Sequence, residues 1–181
     1  MARQSKPRTA RGTPASPAPE RRRGFISYAH EDHDQFELFQ KYLKGALRGF
    51  PWVDIHADPS IQPGAPWEAE ILKMIDQAHI FILLVSPSFL ASDFIWDKEL
   101  PAMKDRVQKI GALLLPVVLS RCLWKNVCDA IQAVPKDKGQ LKPIGDWEAP
   151  THGFVQAHEE IADAIARHFS VPMQSFDWSA K

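Results

Sequence analysis

"HIFILLVSPSFLASDFIWDKELP", residues 79–101, decides how this chain folds. Ile80 to Val85 form an unbroken apolar run with no polar alternation. Such a run marks a central strand buried on both faces, as in parallel sheets covered by helices on either side. "SPSFLA" then reads as the loop leaving that strand. "SDFIWDKELP" reads as a helix on which Ser92, Trp96 and Glu99, at i, i+4 and i+7, share one face. Pro101 is expected to interrupt this helix and to fix where that face points.

Short apolar strands recur on both sides of this stretch. "GFISY" (24–28), "WVDIHAD" (52–58) and "GALLLPVVLS" (111–120) each read as one. Between them lie amphipathic helices. "HDQFELFQKYLKGALRGF" (33–50) carries Phe36, Phe39, Leu43 and Leu47 at helical spacing, with Gly45 and Gly49 weakening its end. "WEAEILKMIDQA" (67–78) presents Trp67, Ile71, Met74 and Ile75, and "HEEIADAIARHF" (158–169) presents Ile161, Ala162, Ile165 and Phe169. Residues 121–147 read as irregular with short helical turns. "DPSIQPGAP" (58–66) is a loop, because its prolines and glycine exclude regular structure. Strands alternating with helices predict an α/β fold with a parallel sheet and right-handed crossovers.

Composition sets the limits. A chain of 181 residues, 45% hydrophobic and 24% charged, suits one globular domain with short extensions. The formal net charge is zero but uneven. Residues 1–23 hold seven basic side chains and one acidic, a net of +6, so the remainder carries −6. The segment 1–22 has almost no bulky apolar residue and is expected to be disordered; residues 171–181 read as a C-terminal tail or the start of a linker. The basic tail is the one place where nucleic acid or anionic lipid would be met electrostatically; otherwise it is a solubilising leader. Cys122 and Cys128 match no zinc spacing and read as half-buried thiols of a reducing cytosol. No run approaches the roughly 20 apolar residues of a membrane span. The N-terminus lacks the apolar core of a signal peptide, so a cytoplasmic location is expected.

In such folds ligands gather where loops leave the carboxyl ends of the strands. Those loops follow Tyr28, Asp58 and Ser86. "AHEDHD" (29–34) crowds two histidines and three acids, but it is not the i, i+4 histidine pair of a zinc helix, and no metal site is expected. A phosphoacceptor pocket would want an aspartate ending the third strand, where this chain has Ser86-Pro87. No glycine-rich phosphate loop is present. Glu99 remains. A glutamate on an amphipathic helix is ordinarily solvated, but Trp96 one turn earlier and Pro101 just beyond set this one apart.

"FISYAHED" (25–32), "DIHADPSIQPGAPWEAEI" (54–71), "ILLVSPSFLASDFIWDKELP" (82–101) and "LLLPVVLSRCLW" (113–124) resemble, in that order, the bacterial branch of Toll/interleukin receptor (TIR) domains. The resemblance covers about residues 23–170. It implies a flavodoxin-like fold with a five-stranded parallel sheet and helices on both faces. Many bacterial and plant members cleave NAD+ at the nicotinamide–ribose bond, and the family's catalytic glutamate aligns with Glu99. Resemblance also implies that Ser27, Tyr28, His30, Asp58, Ser92 and Trp96 contact substrate, with Ser92 equally suited to cap the helix, while Tyr28 and Trp67 read first as core or packing residues. The loop carrying Asp58, Ile61, Pro63 and Gly64, with Trp67 beside it, corresponds to the family's assembly surface. The activity implied is that of an NAD+ glycohydrolase or ADP-ribosyl cyclase in bacterial immune signalling or anti-phage defence, needing no metal or cofactor, with NAD+ as substrate. Its partners would be other TIR domains, with a sensor domain or partner subunit as trigger. The alternative within the family is a non-catalytic adaptor; adaptors commonly lack the glutamate.

Overall fold

The computed structural model describes residues 20–57, 67–128 and 132–171. Four strands, β1 (Arg22–Ser27), β2 (Val53–Ala57), β3 (Ile80–Val85) and β4 (Leu113–Val118), form a parallel sheet in the order β2-β1-β3-β4. Register is set by pairs such as Gly24 with Ile55, Ile26 with Ile82 and Ile82 with Leu115. Gly24 is needed where it stands. A Cβ there would meet Ile55 Cγ1 at 2.7 Å, so only glycine lets the β2 side chain cross β1.

Every residue of β3 is fully buried, and its two faces feed two cores. Ile80, Ile82 and Leu84 pack with Phe36, Phe39 and Leu43 of α1 (His33–Ala46) and with Ile161 and Ile165 of α6 (Pro150–His168). Phe81, Leu83 and Val85 pack with Ile71 and Ile75 of α2 (Trp67–Gln77), Phe89 of α3 (Pro87–Ala91) and Met103 of α4 (Leu100–Ile110). Full burial of one such side chain is worth about 1.5–3 kcal/mol, so a helix layer on each face is the stable solution.

The structure corrects the sequence reading at several points. Among the described residues the sheet has four strands, and where a fifth is expected Val134 makes an isolated bridge to Val117, with its N–H on Pro116 O at 2.9 Å and its carbonyl taking the Val118 N–H at 2.8 Å. Pro135 follows and has no N–H with which to extend the ladder. "SPSFLA" is a helix, α3, not a loop. Ser86 caps it, its hydroxyl accepting the Phe89 N–H at 3.0 Å, and Pro87 occupies the first turn. Helix α6 begins at Pro150, eight residues before the expected start. Gly153 lies within these added turns, where a Cβ would strike Trp147 Cδ1 at 2.7 Å. The segment expected to be irregular contains the turn α5 (Lys125–Cys128) and the small hairpin β5 (Lys136–Asp137) and β6 (Gln140–Leu141). Strand β1 opens at Arg22, so the end of the basic run belongs to the sheet.

Candidate functional site

Glu99 does not sit on a regular α-helix. Residues Ile95–Glu99 form a π-helical turn, closed by the Leu100 N–H bonding to Ile95 O, and α4 continues from it. Pro101 therefore does not interrupt the helix, contrary to the sequence reading. A proline has no N–H for the preceding turn and its ring crowds the carbonyl before it; a widened turn immediately upstream relieves both. Single π turns inside helices are frequent at functional sites.

This turn carries Glu99 inward until it is only 6% exposed. Its carboxylate accepts a hydrogen bond from the Ser27 hydroxyl, at the carboxyl end of β1, itself 2% exposed. A buried carboxylate held by a hydroxyl at the end of a central strand is not the solvated glutamate of an ordinary amphipathic helix.

Glu99 lines a cavity of about 410 Å³ above the carboxyl ends of the strands. One wall is the turn after β1, with Tyr28, His30 and Glu31; the opposite wall is Ser88, Ser92, Phe94 and Ile95. Trp67 and Ile71 of α2 form the third side. Trp67 and Phe94 stack at a tilt with centroids 4.4 Å apart, giving the cavity an aromatic edge beside the acid. Tyr28 lies flat on Phe36, centroids 4.0 Å apart and planes 5° apart, and its hydroxyl is 3.4 Å from His33 Nδ1. Tyr28 and Trp67 thus combine packing with a share of the cavity wall.

Of the residues singled out in the sequence, Tyr28, His30, Ser92, Trp67 and Glu99 are brought together around this cavity, and Ser27 reaches it through Glu99. Ser92 also accepts the Ile95 N–H at 3.4 Å, the helix-capping role. Trp96 does not line the cavity. Its indole N–H donates to Leu90 O at 2.7 Å, and its ring packs against the α2–α4 core. The wide turn shifts the helical phase, so the aromatic side chain of this segment that shares the cavity with Glu99 is Phe94, with Ile95 beside it, and not Trp96. Asp58, Ile61, Pro63 and Gly64 lie outside the described residues.

A second buried carboxylate braces the site. Asp32, 8% exposed, accepts a hydrogen bond from the Ser86 hydroxyl, the same hydroxyl that caps α3. The bond ties the His30–Asp32 turn to the end of β3. Burial raises the Asp32 pKa, opposed by the Ser86 bond and assisted by the charge of Glu31. Ser86-Pro87 in the sequence was the available signal for this cap. Among the described residues no three His, Cys, Asp or Glu side chains are grouped to hold a metal ion. No helix among them is long and apolar enough to cross a membrane.

Fold and site define a flavodoxin-like α/β domain with a buried acid at the carboxyl edge of its sheet. Residues 25–144 match the TIR domain family, and the chain belongs to that family. It is 29% identical over 144 residues to the uncharacterized protein y4lF of Sinorhizobium fredii. The aligned region is 79% of this chain and 43% of that protein, so the chain spans less than half of its relative's length.

Proposed function

We propose that this TIR domain is an NAD+ glycohydrolase with Glu99 as its catalytic residue. The observation that carries the reading is the burial of Glu99 in a cavity at the carboxyl edge of the sheet that the Trp67–Phe94 pair also lines. The reaction breaks the bond between ribose C1′ and the nicotinamide nitrogen. The bonding pair leaves with the nitrogen, converting a pyridinium into neutral nicotinamide and leaving oxocarbenium character on the ribose. A carboxylate facing that ribose stabilises the developing cation and holds the hydroxyls. Water then adds to C1′ and loses a proton, giving ADP-ribose; attack by the adenine would give the cyclic product instead.

Each neighbour has a part in this reading. Ser27 orients the Glu99 carboxylate. The Trp67–Phe94 edge supplies a face for the departing ring, the part the sequence reading gave to Trp96. Tyr28, His30 and Ser92 offer polar atoms to the ribose, and family likeness gives Asp58 a share in the same task. No metal or cofactor is required. Trp67, 39% exposed at the start of α2, supports an assembly role for the adjoining loop, since an exposed indole beside an apolar loop is typical of contact surfaces. Assembly with other TIR domains would then complete the site, in a cytoplasmic protein of bacterial immune signalling or anti-phage defence. A longer relative fits a sensor domain or partner subunit as trigger.

Incubation of concentrated protein with NAD+, followed by chromatography, tests the proposal. Release of nicotinamide with ADP-ribose or its cyclic form is expected. An intact NAD+ pool under assembling conditions would favour the adaptor alternative.

A further inference from the structure

At the amino ends of the strands, opposite the Glu99 cavity, lies a second cavity of about 570 Å³. Arg21, Arg22 and Arg23 reach it from the start of β1, Arg106 from α4, and His79 from the residue preceding β3. Glu20 and Asp54 also line it, so four guanidinium groups face two carboxylates.

The pairing within it is incomplete. Arg22 is matched by Glu20 at 3.0 Å. Among the described residues Arg106 meets the largely exposed Asp76, at 3.8 Å, and Ala78 O, at 3.3 Å, and its buried Nε has no hydrogen-bond partner. The Arg23 guanidinium is bonded to the neutral side-chain amide of Gln77, and among the described residues no carboxylate forms an ion pair with it, although Asp54 faces it across the β1–β2 register. The Arg23 backbone N–H points to His79 Nδ1 at 3.4 Å, which makes Nδ1 the acceptor and Nε2 the protonated nitrogen. Burial lowers the His79 pKa, and the charges of Arg22, Arg106 and Arg23 add to this against the opposing Glu20.

We infer that this cavity binds the phosphoryl group of a small phosphorylated ligand, held between Arg23 and Arg106 with the His79 N–H as a third donor. Guanidinium forks match phosphate oxygens in geometry and charge. The volume falls within the roughly 300–1,000 Å³ of small-molecule sites, an enclosure that a duplex backbone does not need. The five steps from Arg22 to Ser27 along β1 separate the two cavities by about 17 Å, at roughly 3.3 Å per step, so this site is distinct from the one holding Glu99. Its position at the amino edge is unusual for an open α/β sheet, and it exists because the arginine run enters the sheet there.

The test is a titration of the isotope-labelled full chain with sodium pyrophosphate, followed by NMR, against sodium chloride at matched ionic strength. Saturable shifts are expected at Arg23, His79 and Arg106, with a rise in the His79 pKa, because a bound anion stabilises the imidazolium. Arg23→Gln and Arg106→Gln should each weaken pyrophosphate binding about tenfold, the loss of one charge-assisted contact. The inference is overturned by shifts in the parent that follow ionic strength alone. It is equally overturned by affinity unchanged in both variants, or by saturation of these residues with a duplex oligonucleotide and not with pyrophosphate. The parent titration decides even where a variant fails to fold.

Discussion

The hydroxyl of Ser27 and the carboxylate of Glu99, 72 residues apart in the chain, meet in a buried hydrogen bond across the carboxyl edge of the sheet. β1 supplies the donor and a π-helical turn delivers the acceptor. The bond fixes the orientation of the acid, so Ser27→Ala should lower the rate of NAD+ cleavage by roughly 10- to 100-fold, the scale of a lost orienting hydrogen bond to a charged group. The lost hydrogen bond to a buried carboxylate should also cost roughly 1.5–3 kcal/mol of stability, read as a lower unfolding midpoint. Parent-like turnover in Ser27→Ala would remove Ser27 from the account.

Phe94 and Trp96 should separate cleanly. Phe94→Ala opens the aromatic edge of the cavity and should raise KM for NAD+ several-fold. Trp96→Phe removes the indole N–H held by Leu90 O and should cost about 1 kcal/mol of stability with turnover unchanged. The opposite pattern in steady-state kinetics and denaturant melts would restore Trp96 to the site.

The difference between those two residues shows where the sequence was legible. The apolar runs of β3 and β4 can be read directly, because a strand buried on both faces is almost wholly apolar; in β1 only Phe25 and Ile26 carry that signal, between the arginines and Ser27. Glu99 stood out through its neighbours and its family likeness. The face it shares could not be read, because a helical wheel assumes a uniform period and the turn at Ile95–Glu99 breaks it. Helix α3 was hidden by its length, although Ser86 and Pro87 are cap and first-turn residues. The first two turns of α6 were hidden by Gly153, whose absent side chain answers to Trp147, a tertiary contact that no local pattern reports.

Asp32 should leave a pH signature. Its folded pKa lies above that of the unfolded chain, about 3.9 for aspartate, because burial disfavours the charge. The folded state therefore holds its proton to higher pH. Stability from this group is greatest below the unfolded value and falls as pH rises through the interval up to the folded value. Asp32→Asn keeps an acceptor for Ser86 and cannot ionise. Its melting temperature should fall less than the parent's between pH 4 and pH 7. Parallel curves for the two proteins would show that Asp32 contributes nothing to the dependence.

Specific activity should rise with protein concentration if the loop before Trp67 joins one domain to the next. Ile61→Asp or Gly64→Arg should then leave a folded monomer with activity collapsed and Glu99 untouched. Flat specific activity on dilution, with parent rates in both variants, would mean that each domain carries a complete site.

Glu99→Gln is the most direct test. Glutamine keeps an oxygen for Ser27 and nearly the same volume, so the variant should fold with the parent's melting temperature. It lacks the negative charge that the ribose cation requires. Nicotinamide release, followed by chromatography at a concentration where the parent is active, should fall by roughly a thousandfold or more, the scale of losing the principal electrostatic stabiliser of a transition state. Turnover within a few-fold of the parent, in a variant shown to be folded, would contradict the assignment of Glu99 as the catalytic carboxylate.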